Sequence, residues 1–150
     1  MACNKTLRLS PEDYRRLWHT DTPSRAKPRD IEHRIQVSCV RWFRYTYPHY
    51  ARLLFAIPNG GDRDIRVAQR LKAEGVVAGV ADLFLAIGTD VCHGMFIEMK
   101  TQQGRQSEKQ KEFQRVVEEE GYMYVVCRSL DDFREIVDAY MSSAFDARAL

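Results

Sequence analysis

Two acids and a lysine on two neighbouring apolar runs are the residues whose types and spacing best suit chemistry. Asp82 lies in the run 80–87, and Glu98 and Lys100 lie in the run 95–100. Turn-forming residues, two glycines among them, separate the runs, which are therefore predicted to pair as an antiparallel hairpin. If the hairpin is centred near residue 90, Asp82 lies directly opposite Glu98, and strand alternation places Lys100 on the same side.

Two carboxylates facing each other across a sheet are destabilising unless something offsets their charge. A divalent cation between Asp82 and Glu98 would do so, and the pattern therefore predicts a metal-dependent active site. Mg²⁺ held by one or two carboxylates and waters activates a water molecule and neutralises developing negative charge. Lys100 beside it would orient or deprotonate that water. The alternative is a surface hairpin with an ordinary cross-strand salt bridge, because an isolated Glu-x-Lys is common.

Three further elements are candidates for the same site. Glu32 either adds a third carboxylate or complements the dipole of its helix. Gln110 either donates to a phosphate or water or completes a capping box with Ser107, and the two roles are compatible. The sequence Asn59-Gly60-Gly61 either brings backbone amides close to a phosphate or forms a tight turn.

Charge is unevenly distributed along the 150 residues. Residues 1–72 hold 15 Lys/Arg against 7 Asp/Glu, whereas residues 73–150 hold 8 against 14. A basic half suits a polyanionic partner, although solvated faces can also differ by chance. The basic residues expected to contact phosphates are Arg25, Lys27, Arg34 and Arg41.

The periodicity of apolar residues predicts an α/β fold, with helices on a mixed sheet. Residues 1–29 are expected to form an N-terminal extension with a short helix over 11–18, residues 30–142 one domain, and residues 143–150 a C-terminal tail. The predicted elements are a helix over 30–45, a strand over 53–57, a helix over 63–74 ending at Gly75, the hairpin, a helix from Ser107 to Gly121, a strand over 122–127 and a helix capped by Ser129.

Nothing in the sequence indicates a membrane or secreted protein. No apolar run approaches the roughly 18 residues that cross a bilayer, and the N-terminus lacks the apolar segment of a signal peptide. The four cysteines show no CxxC spacing. A cytoplasmic location is therefore expected.

Taken in order, these residues resemble the VRR-NUC family of the PD-(D/E)XK nuclease superfamily over roughly residues 30–142. One departure is Ala81, which stands where the superfamily has a proline before the first acid. The matching stretches are Glu32-x-x-x-Gln36, Ile57 to Gly61, Leu71 to Leu83, Phe96 to Lys100, Ser107-x-x-Gln110 and Gly121.

The resemblance implies a restriction-endonuclease-like αβββαβ core and DNA cleavage that depends on Mg²⁺, with Mn²⁺ as a substitute. By position, Asp82 and Glu98 would bind the metal, Glu32 would assist them directly or through water, Lys100 would be the catalytic lysine, and Gln110 would support the site.

Small stand-alone members of this family, many of them encoded by phages, resemble homodimers that cut branched DNA, including Holliday junctions. The expectation is therefore a structure-selective endonuclease of DNA repair or recombination, in a bacterial cell or a phage-infected host. The alternatives are a nuclease specific for flaps or single strands, a restriction-type nuclease, and a non-catalytic nucleic-acid-binding module.

Overall fold

A four-stranded mixed sheet forms the centre of the fold in a computed structural model that describes residues 27–58 and 65–146. Arg25, Asn59, Gly60 and Gly61 lie outside the described residues, as does the predicted helix over 11–18. The helices are α1 (Pro28–Thr46), α2 (Ile65–Ala73), α3 (Glu108–Glu119) and α4 (Leu130–Asp146), and the strands are β1 (Leu54–Ala56), β2 (Leu83–Leu85), β3 (Met95–Met99) and β4 (Met123–Cys127).

The strand order is β1-β2-β3-β4, with β1, β2 and β3 antiparallel and β4 parallel to β3. The connection between β3 and β4 runs through α3, because parallel neighbours need a crossover. Leu83 pairs with Ile97 in the β2–β3 register. One residue outward, Asp82 therefore stands opposite Glu98, as the centre of the predicted hairpin requires.

The larger core lies on one face of the sheet, under α1 and α4. Cys39 and Phe43 of α1 and Phe133 and Val137 of α4 are buried there, together with the inward residues of β2 and β3. The second half of α1 therefore reaches the core, whereas Ile31 at the start of the helix is 39% exposed. This packing fixes the position of the helix that carries Glu32.

The opposite face of the sheet is covered by α3. Ala81, Val117 and Tyr124 are buried there, and Phe96 and Phe113 pack against them with ring centroids 5.1 Å apart. Because strand residues alternate, Glu98 points to the same face as Phe96. The acid therefore lies beneath the first turn of α3.

The ends of two helices, α2 and α4, can be compared with the predictions. Gly75 has φ +94°, a left-handed conformation suited to glycine, and stops α2 as predicted. The last helix continues to Asp146, so residues 143–146 of the predicted tail are helical, because Met141 and Ala144 are buried against the core. Within the described part of the chain, no helix is long and apolar enough to cross a bilayer.

Candidate active site

Asp82 is held at the entry to β2 by two backbone hydrogen bonds. Its Oδ2 accepts from the N–H of Met99 at 2.8 Å, and its carbonyl accepts from the N–H of Ile57 at 2.9 Å. Ala81, the residue before Asp82, is fully buried in the α3 cluster. The entry to the strand is thus fixed by packing and by backbone hydrogen bonds, although Ala81 does not restrict φ as a proline would.

Glu98 is the centre of a polar network inside an apolar environment, with only 1% of the residue exposed. Its Oε1 accepts hydrogen bonds from Lys100 Nζ and from Gln110 Nε2, both at 2.5 Å. Its Oε2 accepts from the hydroxyl of Tyr124 at 3.4 Å. A buried carboxylate with these partners is not the exposed acid of a surface hairpin, so that alternative is wrong.

Burial and a neighbouring carboxylate raise the proton affinity of each of the two facing acids. The pKa of Glu98 is raised to about 7, first by burial and then by the charge of Asp82, against the opposing hydrogen bond and charge of Lys100. Burial also raises the pKa of Asp82, against the Met99 N–H and the Lys100 charge, and Glu32 adds to the rise. Among the described residues, the Lys100 ammonium therefore offsets the effects of burial and like charge only in part.

Glu32 approaches this pair from the first turns of α1. Its Oε1 accepts a hydrogen bond from the N–H of Thr101 at 3.2 Å, just beyond Lys100. Its effect on the pKa of Asp82 shows that the two carboxylates are near each other. As they stand, however, no three Asp, Glu, His or Cys side chains of the described residues are grouped closely enough to bind one ion.

The donor set nevertheless fits a hard divalent cation. Mg²⁺ prefers oxygen ligands, keeps several waters and commonly takes only one or two protein carboxylates. Asp82 and Glu98 supply two such carboxylates on facing strands, in a site where positive charge is favoured. Glu32 is placed to contribute directly or through a water.

Gln110 joins the first turn of α3 to the site. Its Oε1 accepts from the N–H of Ser107 at 2.8 Å, and Ser107 Oγ accepts from the N–H of Gln110 at 3.3 Å. The predicted capping box is therefore present. Because the carboxamide Nε2 remains available for Glu98, the capping role and the site role coexist in one side chain.

A family model described as a VRR-NUC domain matches residues 30–131. The chain belongs to the VRR-NUC domain family. This is a family of nuclease domains, which confirms the resemblance carried by the sequence stretches.

One solved structure, named "VRR_NUC domain protein", has the same fold. It shares 24% identity with this chain at a TM-score of 0.65, and the match covers 74% of this chain and 88% of that one. At this identity the likeness shows the fold alone, and it confirms the predicted mixed sheet flanked by helices. No curated protein matches the chain.

Three of the basic residues proposed from sequence lie on or beside α1 of the VRR-NUC domain. Lys27 precedes the helix, and Arg34 and Arg41 follow at steps of seven residues, so all three share one side at intervals of about 10 Å. All three are exposed. This side belongs to the same helix as Glu32, which brings a basic surface to the helix that flanks the site.

Three residues of the site were not found from the sequence of this VRR-NUC domain. Tyr124 and Gln106 extend the polar network, since Gln106 bonds to the Tyr124 hydroxyl and to Gln114 Oε1, the latter at 2.9 Å. Arg128 holds the turn that follows Lys100. The sequence offered one signal for Tyr124, namely a tyrosine on a strand beside β3. It offered none for Gln106 and Arg128, because their contacts depend on tertiary packing.

Proposed function

We propose that this VRR-NUC domain is a metal-dependent endonuclease that hydrolyses DNA phosphodiesters. The observation that carries the proposal is the buried Glu98 opposite Asp82, with the Lys100 ammonium 2.5 Å from Glu98 Oε1. A fold maintains such an arrangement at a cost in stability, and polar groups kept at that cost mark functional sites. A non-catalytic module has no need of it.

Asp82 and Glu98 would hold a Mg²⁺ or Mn²⁺ ion, with Glu32 assisting from α1. When bound, such an ion lowers the pKa of a water ligand and polarises the scissile phosphate. Lys100 would hold the attacking water in line and offset the negative charge that develops on the phosphoryl oxygens. Gln110 would keep Glu98 oriented, because its amide occupies the same carboxylate oxygen as Lys100.

The basic side of α1 would bind the phosphates that flank the cut. Lys27, Arg34 and Arg41 are spaced along it, and Arg25 and the Asn59-Gly60-Gly61 segment are proposed as further contacts. Phosphate contacts of this kind set position and affinity without reading sequence. Binding should therefore weaken steeply as salt is raised.

We further propose that the preferred DNA is branched, with the four-way junction as the leading case, and that the enzyme acts as a homodimer. The support is the resemblance to small stand-alone members of the family. A two-fold dimer places two sites on two strands of a symmetric junction. A cytoplasmic role in DNA repair or recombination goes with this proposal.

A panel of labelled substrates tests the substrate preference. Four-way junction, 5′ and 3′ flaps, single strand and linear duplex should be compared in Mg²⁺, Mn²⁺ and EDTA at fixed salt. Paired symmetric nicks confined to the junction support a dimeric resolvase. Preference for flaps or single strands, or equal cutting of linear duplex, replaces the junction proposal but keeps the nuclease. Binding without cutting in either metal indicates the non-catalytic module.

A further inference from the structure

The turn directly after Lys100 touches both groups that flank the carboxylate pair. Its first residue, Thr101, donates its N–H to Glu32 Oε1 at 3.2 Å, and its carbonyl accepts from the N–H of Gly104 at 3.0 Å. A Cβ placed on Gly104 would lie 3.3 Å from Lys100 Cδ, so the backbone of the turn packs along the lysine side chain. The position of this turn therefore affects Glu32 and Lys100 together.

Arg128, at the end of β4, holds the turn from its other side. Its Nη1 donates to the carbonyl of Thr101 at 2.5 Å and to that of Gly104 at 2.7 Å, with Gln102 O at 3.4 Å. The guanidinium thus closes the turn by bonding to both of its ends. A planar group with several fixed donors is suited to bind several carbonyls at once.

The backbone around Arg128 fixes it on the scaffold. Its N–H donates to Asp132 Oδ2 at 3.0 Å in the first turn of α4, and the neighbouring Cys127 carbonyl accepts from the N–H of Lys100 at 2.9 Å. The Arg128 guanidinium forms no ion pair with a carboxylate of the described residues. The guanidinium contacts the carbonyls of the turn rather than an acid.

We propose that Arg128 is a positioning residue, which orders the Thr101–Gly104 turn and through the Thr101 amide sets Glu32 at the metal site. The inference rests on the proposed function for its catalytic consequence. Arg128 itself need not touch DNA or the metal. Residues that orient metal ligands typically contribute about 10- to 100-fold in metal affinity or activity.

The test compares Arg128→Met, which keeps the apolar stem, with Arg128→Lys, Glu32→Gln and the Arg128→Met/Glu32→Gln double variant. Arg115→Met is the control, because Arg115 makes a solvent-exposed pair with Glu119 on α3. Three properties are measured: hydrogen exchange of the Gly104 amide, Mn²⁺ affinity by calorimetry, and kcat and KM for DNA cleavage. Circular dichroism verifies that each variant is folded.

Arg128→Met should speed exchange at Gly104, weaken Mn²⁺ binding about 10-fold or more, and lower kcat with KM for DNA unchanged. Arg128→Lys should be intermediate, and Arg115→Met should match the wild type. The double variant should bind Mn²⁺ no more weakly than Glu32→Gln, because both changes remove the same contribution.

Unchanged exchange at Gly104, or additive losses in the double variant, overturns the proposal. So does a raised KM with Mn²⁺ affinity intact, which would make Arg128 a phosphate contact. If Arg128→Met does not fold, Arg128→Lys takes its place. It is measured alone and combined with Glu32→Gln, and the same outcomes overturn the proposal. A wild-type protein that cuts no DNA in either metal defeats the proposed function instead, while the exchange and Mn²⁺ measurements still decide the role of Arg128.

Discussion

Asp82 Oδ2 accepts a hydrogen bond from the N–H of Met99 at 2.8 Å, across the β2–β3 pair and one residue beyond Glu98. The first acid is therefore oriented by the backbone of the strand that carries the second. Because the strand register fixes both, the distance between the carboxylates does not depend on a loop. Rigid elements are the best supports for a site that needs defined geometry.

Replacing Lys100 with alanine should abolish cleavage while sparing DNA binding. The ammonium lies against Glu98 within the site, and a positioned group of this kind contributes roughly 10²- to 10⁴-fold to the rate. Lys111→Ala is the matched control, because Lys111 makes an exposed pair with Glu108. Cleavage rate and junction binding are measured for both variants; cleavage retained in Lys100→Ala removes Lys100 from the mechanism.

The two roles of Gln110 can be separated by mutation. Ser107→Ala removes only the capping bond accepted by Ser107 Oγ and should cost about 1 kcal/mol of stability with activity largely retained. Gln110→Met removes the other bond of the capping box and also the donor to Glu98, so it should lower the cleavage rate beyond its loss of stability. Chemical denaturation and cleavage rates should be compared for the two variants. If Ser107→Ala and Gln110→Met lose the same activity and the same stability, Gln110 acts only as a cap.

Gly79 is expected to tolerate no side chain. Its φ is +90°, and a Cβ there would lie 2.4 Å from the carbonyl oxygen of Lys109, in the first turn of α3. Gly75 has φ +94° but no atom within 4 Å of such a Cβ. Gly75→Ala should lower the free energy of unfolding by about 1 to 2 kcal/mol, because alanine is strained in the left-handed conformation. Gly79→Ala should lower it by about 3 kcal/mol or more, because overpacking adds to that strain.

Thermal or urea unfolding of the two glycine variants measures the difference. Since α3 carries Gln110, Gly79→Ala should also lower activity in whatever fraction remains folded, whereas Gly75→Ala should not. Equal destabilisation by the two changes would contradict the close approach of the Gly79 backbone to α3.

Stability of the metal-free protein should fall as pH rises from about 4.5 to about 7. Over that window, folded Glu98 retains a proton that the unfolded chain, with a pKa near 4.5, has released. The folded state then binds more protons, so the free energy of unfolding decreases with pH, by about 3 kcal/mol in all from this group. The raised pKa of Asp82 acts in the same direction.

Urea unfolding of wild type and Glu98→Gln at pH 5 and pH 8, both in EDTA, checks this. The variant should show a smaller decrease, because glutamine does not titrate. Saturating Mn²⁺ should restore wild-type stability at pH 8, where the carboxylates are ionised and able to bind metal. The same pH dependence in both proteins would show that Glu98 is not the titrating group.

The placement of Asp82 opposite Glu98 was predictable because turn residues fix the centre of a hairpin, and alternation then fixes which side chains share a face. The Ser107–Gln110 cap was predictable for a similar reason, since the motif is local. Both depend on residues within one hairpin or one helical turn.

The contacts of Tyr124 and Arg128 were not predictable from local pattern. Both lie on or after β4, which reaches β3 only through the parallel pairing that follows α3. The hydrogen bond from the Thr101 amide to Glu32 likewise joins residues 69 positions apart. Such contacts follow from how helices and strands pack, which no spacing in the sequence encodes.

The most direct test of the central claim is cleavage of a labelled four-way junction by wild type and by Asp82→Asn, in Mg²⁺ and in EDTA. Asparagine keeps the size of the side chain and an oxygen able to accept from the Met99 amide, but it removes the charge. The wild type should cut in Mg²⁺ and stop in EDTA, and the folded variant should bind the junction without cutting it. Cutting by Asp82→Asn at the wild-type rate, or by the wild type in EDTA, would contradict a metal-dependent active site at Asp82 and Glu98.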